Sequence, residues 1–182
     1  MDTPSVDADE HLRTTVTVQK FLIGGLALGA AVMGVVVTVM HFVVLDGKAM
    51  APDLPRFGGV SILTLIVGVV VCSTTVASFI MADTVRRQTL ARLGTAPPAA
   101  TSLEDRRTLL AGWQGSGIVQ AGLCEGPTIL ALVSFLITGD AVLLGVAGAM
   151  LALLLSRFPS EDSTRRWLDA AEEELGRTRT GA

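Results

Sequence analysis

Four stretches of this 182-residue chain are too long and too apolar to be the core of a water-soluble domain. The first runs from Phe21 to Leu45 with no Asp, Glu, Lys or Arg. Others follow at about 57–82, 113–138 and 141–158. A helix crosses the roughly 30 Å hydrocarbon core of a bilayer with about 20 such residues. Charged residues are only 17% of the chain and mean hydropathy is +0.57, whereas soluble domains carry about a quarter charged residues. The charges are also segregated into a few stretches. Lipid is therefore the expected solvent, and the expected fold is all-α: an integral membrane four-helix bundle in a multi-pass protein of the cell membrane.

The intervening sequence sets the organisation. Residues 1–14 are polar and acidic (Asp2, Asp7, Asp9, Glu10) and are expected to be mobile, ahead of a four-span domain over 15–158. Acidic residues are the wrong charge for a signal-peptide n-region, so the first helix is expected to stay as an anchor. Asp46-Gly47-Lys48 and Pro52–Arg56 read as a loop, with span two starting near Phe57. Residues 83–112 form a cytoplasmic segment in which helical character can run on from span two through Arg92 to Gly94. Thr95–Ala100, with Pro97-Pro98, is the clearest linker. The capping-box spacing of Thr101 and Glu104 then starts a new helix that carries Arg106 and Arg107 into the membrane near Trp113. Thr138-Gly139-Asp140 allows only a tight turn, with Asp140 a solvated residue there. The tail, 159–182, contains a short amphipathic helix stopped at Gly176, its stripe made by Thr164, Leu168, Ala171 and Leu175. That stripe reads equally as a docking surface or as part of a solvated tail.

Basic residues fix the orientation. Twelve of the fourteen lysines and arginines fall on the side of both termini and the 83–112 linker, while Lys48 and Arg56 fall on the other. Both termini are therefore expected in the cytoplasm. Arginine outnumbers lysine twelve to two in a chain rich in Ala and Gly, the usage of a GC-rich bacterial genome.

Several function classes find no residues to carry them. Net charge is −3 and no basic helix is interleaved with aromatics, so nucleic acid is not an expected partner. Cys72 and Cys124 lie inside apolar runs and read as small packing residues, with neither a disulfide nor a metal site expected. No zinc-protease, serine-nucleophile or phosphate-loop motif occurs, so neither an enzyme nor a cofactor is expected.

Helices in lipid associate through small residues that let backbones approach. Gly25 and Gly29 in span one, Gly122 and Gly126 in span three, and Gly145 in span four supply such positions. Packing within one bundle and pairing with a second copy or another membrane protein are both open readings.

Glu125 is the one acidic residue within a span. A carboxylate there costs at least about 2.5 kcal/mol on insertion scales. The apolar runs offer no nearby Lys or Arg, and desolvation favours the neutral, protonated form. Ser73, Thr74 and Thr128 are its candidate partners, and Pro127 frees the Leu123 carbonyl of its helical donor. Reversible proton or cation binding and a purely structural interhelical hydrogen bond are the competing roles. His41, near the outer end of span one, reads as an interfacial residue more readily than as a relay.

The segment Ala121-Gly122-Leu123-Cys124-Glu125-Gly126-Pro127-Thr128-Ile129-Leu130-Ala131-Leu132-Val133 resembles the carboxylate-bearing helix of ATP synthase rotor c subunits. The order of a span, an arginine-rich cytoplasmic loop and a carboxylate helix is similar too. The resemblance implies that Glu125 binds and releases a translocated proton or sodium ion. The chain is otherwise similar to small four-span bacterial membrane proteins, a likeness that implies no particular activity.

Overall fold

A computed structural model describes residues 4–95 and 102–180 of the chain. The order is α1 (Pro4–Val39), a π-helical turn (Met40–Val44), β1 (Arg56–Phe57), β2 (Val60–Ser61), α2 (Ile62–Thr95), α3 (Ser102–Thr138), α4 (Ala141–Ser156) and α5 (Glu161–Thr180). The all-α class is as expected. Among the described residues, three helical segments are long and apolar enough to cross a membrane: Glu10–Val44, Ile62–Gly94 and Glu104–Thr138. With 16 residues, α4 is about 24 Å long and joins them as a fourth only when taken together with α5.

The chain divides into two compact units. One consists of Ile23–Ser78 and Ala121–Arg157, and here α1, α2, α3 and α4 bury two apolar clusters. The first contains Val37, Val67, Leu132, Phe135, Leu143 and Ala147. The second contains Ile23, Ala27, Ala121, Cys124, Met150 and Leu154. The outward faces of the helices are apolar as well: Leu28 and Val35 on α1 and Ile66, Val69 and Val76 on α2 are all exposed.

Polar detail in this unit gathers at one end. Gly58 and Gly59, both at positive φ, make the two-residue turn of the β1–β2 hairpin. This hairpin occupies 56–61, where the sequence reading began span two. The Ser61 hydroxyl then caps α2 by accepting from the Thr64 amide at 3.1 Å. Asp140 is more than the solvated turn residue expected. It caps α4, accepting from the Val142 amide, and its other oxygen accepts from the Thr64 hydroxyl at 2.9 Å. Gly139 closes α3 at φ +70°, with its N–H donating to the Phe135 carbonyl at 2.7 Å. A Cβ on Gly139 would also sit 3.4 Å from His41 Cε1. Gly139→Ala should therefore cost about 1–2 kcal/mol, measurable as a lower midpoint in thermal unfolding of the purified protein.

The second unit is Met1–Leu22, Phe79–Gln120 and Phe158–Ala182. Leu12 and Val16 of α1, Leu90 and Leu93 of α2, Leu109 and Leu110 of α3, and Leu168, Ala171 and Leu175 of α5 form its core, flanked by Trp113 and Trp167. Residues 4–14 lie within α1, with Leu12 and Val16 one turn apart and both buried. Within the 83–112 segment, α2 runs on to Thr95 and α3 is already helical from Ser102, in line with the helical character expected to Gly94 and the helix expected ahead of Trp113; Pro97-Pro98 and Thr101 lie outside the described residues. The tail is a packed helix that passes through Gly176 to Thr180, where Arg177 pairs with Glu173 one turn back. The stripe Thr164, Leu168, Ala171 and Leu175 is buried, as a docking helix requires. Arg86–Glu174 (2.6 Å) and Arg106–Glu172 (3.5 Å) tie α5 to α2 and α3. Partly exposed pairs of this kind add at most about 1 kcal/mol each, so the apolar stripe dominates.

Gln19 and Gly117 make the tightest helix contact of this unit. Gln19 is buried, and its Nε2 occupies the space that a Cβ on residue 117 would fill. Gly117→Ala should destabilise by about 1–3 kcal/mol through overpacking, read by the same unfolding measurement.

Candidate functional site

Glu125 lies on α3 at the border between its buried and outward faces. Ala121, Cys124, Thr128 and Ala131 are buried, whereas Gly122, Gly126 and Ile129 are exposed. Glu125 is one turn from members of both sets and is half-buried. It precedes Thr138 by thirteen residues, which places it about 20 Å along the helix from that end.

Helix α1 runs parallel to α3 beside this face. A Cβ on Gly34 would be 3.8 Å from Leu132, and His41 packs at a tilt against Phe135 with ring centroids 4.6 Å apart. Seven residues before Gly34 and Leu132, Ala27 comes level with Glu125, and Ala27 shares a buried cluster with Ala121 and Cys124. The carboxylate therefore has apolar and glycine neighbours. It has no hydrogen bond or ion pair among the described residues.

The three candidate partner hydroxyls are not brought to it. Thr74 donates to the carbonyls of Val70 and Val71, and Thr128 donates to Cys124 O at 2.8 Å, each within its own helix. Ser73 is exposed on α2. Hydroxyls bonded in this way satisfy themselves locally.

The glycines read as packing positions also face outward. At Gly25, Gly29, Gly122, Gly126 and Gly145 an added Cβ would meet nothing within 4 Å. None of them holds this bundle together, and all are available to something outside it. Inside the bundle, close approach falls instead at Gly34.

Arg157 is a feature the sequence reading counted among the flanking charges. It follows the last residue of α4, and because α4 is short its guanidinium remains within the bundle. There it donates to the hydroxyl of fully buried Ser78 at 3.1 Å. Only the length of α4, which sequence leaves uncertain by a turn, could have signalled this. His41 is buried in the π-helical turn, its Nδ1 without a partner, edge-on to Phe42.

Two cavities mark this unit. A polar one of about 440 Å³ lies among Arg56, Ser61, Thr138 and Asp140. The other is an apolar groove of about 420 Å³ between α1, α3 and α4. No cluster of His, Cys, Asp or Glu among the described residues could hold a metal ion. No family model matches the chain, and neither does any curated protein or solved structure.

Proposed function

We propose that this chain is a multi-pass protein of the cell membrane that reversibly binds a proton or small cation at Glu125. The observation that carries the reading is the unpartnered, half-buried carboxyl on α3. A carboxylate among apolar side chains is stabilised either by taking up a proton or by meeting a cation.

Membrane placement rests on the exposed Leu, Val, Ile and Phe side chains of α1 and α2. In water they would form an apolar surface far larger than monomeric soluble proteins tolerate. The bias of twelve basic residues to two supports a cytoplasmic position for both termini, with α5. The resemblance of 121–133 to a rotor carboxylate helix supports the same role for Glu125.

A structural or accessory role is the second reading. The open faces at Gly25, Gly29, Gly122, Gly126 and Gly145 favour association with a second copy or another membrane protein. The stripe of α5 is already covered, so the outward glycines are the better candidates for that contact.

Dicyclohexylcarbodiimide, which attacks protonated carboxyls in apolar surroundings, tests the first reading. Glu125 should be labelled faster at acidic than at alkaline pH. Equal rates at both would defeat it.

A further inference from the structure

We propose that the groove between α1, α3 and α4 holds the apolar body of a lipophilic cation whose positive group replaces the proton of Glu125. This inference rests on the reading of Glu125 as a reversible site and names its substrate class.

The groove's volume, about 420 Å³, is that of a small-molecule site. Ala30 and Gly34 of α1, Thr128 and Leu132 of α3, and Ala147 and Gly148 of α4 form most of its wall. It exists because these positions are small: larger side chains at Gly34, Ala147 or Gly148 would fill it. Its hydroxyls offer a ligand no donor, since Thr38 donates to Gly34 O and Thr128 to Cys124 O, and the rest of the wall is apolar. The body of an occupant is therefore hydrocarbon or aromatic, with no polar group to satisfy.

Charge selects among apolar occupants. Glu125 precedes Thr128 by three residues and Leu132 by seven, so it continues the same face of α3 one turn beyond the groove. Glu125 is not part of the groove's wall, so the positive group of the ligand extends about one turn past Thr128 toward the carboxyl. An anion is repelled there and a neutral acyl chain gains nothing from it. A cation supplies the counter-charge that Glu125 lacks. Each monovalent cation bound releases one proton, as the neutral carboxylic acid becomes a carboxylate paired with the ligand. Entry is lateral, because the groove opens on the outer face of the helices.

Tetraphenylphosphonium serves as the probe, with neutral triphenylphosphine oxide as its control, on the full-length protein in detergent. Tetraphenylphosphonium should bind, release one proton per molecule, and bind more weakly as pH falls. Gly148→Leu should weaken binding at least about tenfold by filling the groove. An added Cβ at Gly148 meets nothing within 4 Å, and thermal unfolding of the variant, expected at the parent's midpoint, separates loss of the groove from loss of the fold. Gly145→Leu, on the same helix but outside the groove, should leave affinity unchanged. The inference is overturned if Gly148→Leu binds like the parent, or if the neutral control binds equally well and survives Glu125→Gln. Carbodiimide labelling of the same samples separates the failures. Acid-favoured labelling without groove-dependent binding sinks the cation inference alone, and loss of both sinks the proton site itself.

Discussion

Truncation after Phe158 is expected to abolish the cooperative folding of the unit made by the ends of α1, α2 and α3. The cut removes Leu168, Ala171 and Leu175 from a core shared with Leu12, Val16, Leu90, Leu93, Leu109 and Leu110. Fully burying one leucine contributes about 1.5–3 kcal/mol. Losing two leucines, the flanking Trp167 and the new exposure of their partners exceeds about 5 kcal/mol, the lower end of whole-domain stability. The three ion pairs of α5 with Arg13, Arg86 and Arg106 are lost in the same cut and add little to the effect, being partly exposed. Leu168→Ala is the milder form, with an expected cost of about 2–5 kcal/mol. Amide hydrogen exchange resolves the effect by region: protection should fall at Leu12–Val16, Leu90–Leu93 and Leu109–Leu110 and persist over 121–157. Unchanged protection at the leucines would show that α5 is dispensable.

Glu125→Gln should have the opposite profile. The carboxyl makes no hydrogen bond or ion pair among the described residues, so its loss breaks nothing, and Gln keeps the size of the side chain. Stability is expected to stay within about 0.5 kcal/mol of the parent, or to rise as a costly carboxylate disappears. Carbodiimide labelling at this position and proton release on cation binding should both vanish. A role as interhelical glue predicts the reverse, a clear loss of stability with no ion-linked change. Thermal unfolding and labelling of one preparation therefore decide between the readings.

The helical plan was legible because burial in lipid or against a neighbour leaves long unbroken apolar runs. α1 to α4 each contain most of one of the four runs, and α3 ends at Thr138 as the following Gly139-Asp140 indicated. The stripe 164, 168, 171 and 175 was legible from its spacing alone. What remained hidden depends on partners far away in sequence. Leu12 and Val16 sit among acidic and threonine residues, so their burial emerges only when α5 covers them. The Gly58-Gly59 turn is embedded in an apolar stretch and looked like the start of a span.

At the candidate site, sequence identified Glu125 but not its surroundings. Ser73, Thr74 and Thr128 are chemically suitable partners, yet helix-internal carbonyls lie nearer to Thr74 and Thr128. The glycine pattern showed where close approach is possible, not on which side it happens, and at five of the positions that side is outward. Arg157 looked like a flanking charge until the shortness of α4 carried it to Ser78. The groove beside Thr128 and Leu132 is made by three helices at once, so no single segment announces it.

The central claim is that Glu125 takes up and releases a proton. Infrared titration of the protein in lipid vesicles reads this directly through the carbonyl stretch of a protonated carboxylic acid. A band that grows reversibly as pH falls and is missing from Glu125→Gln is expected. A band unaffected by that substitution, or no titrating carboxyl band at all, would contradict it.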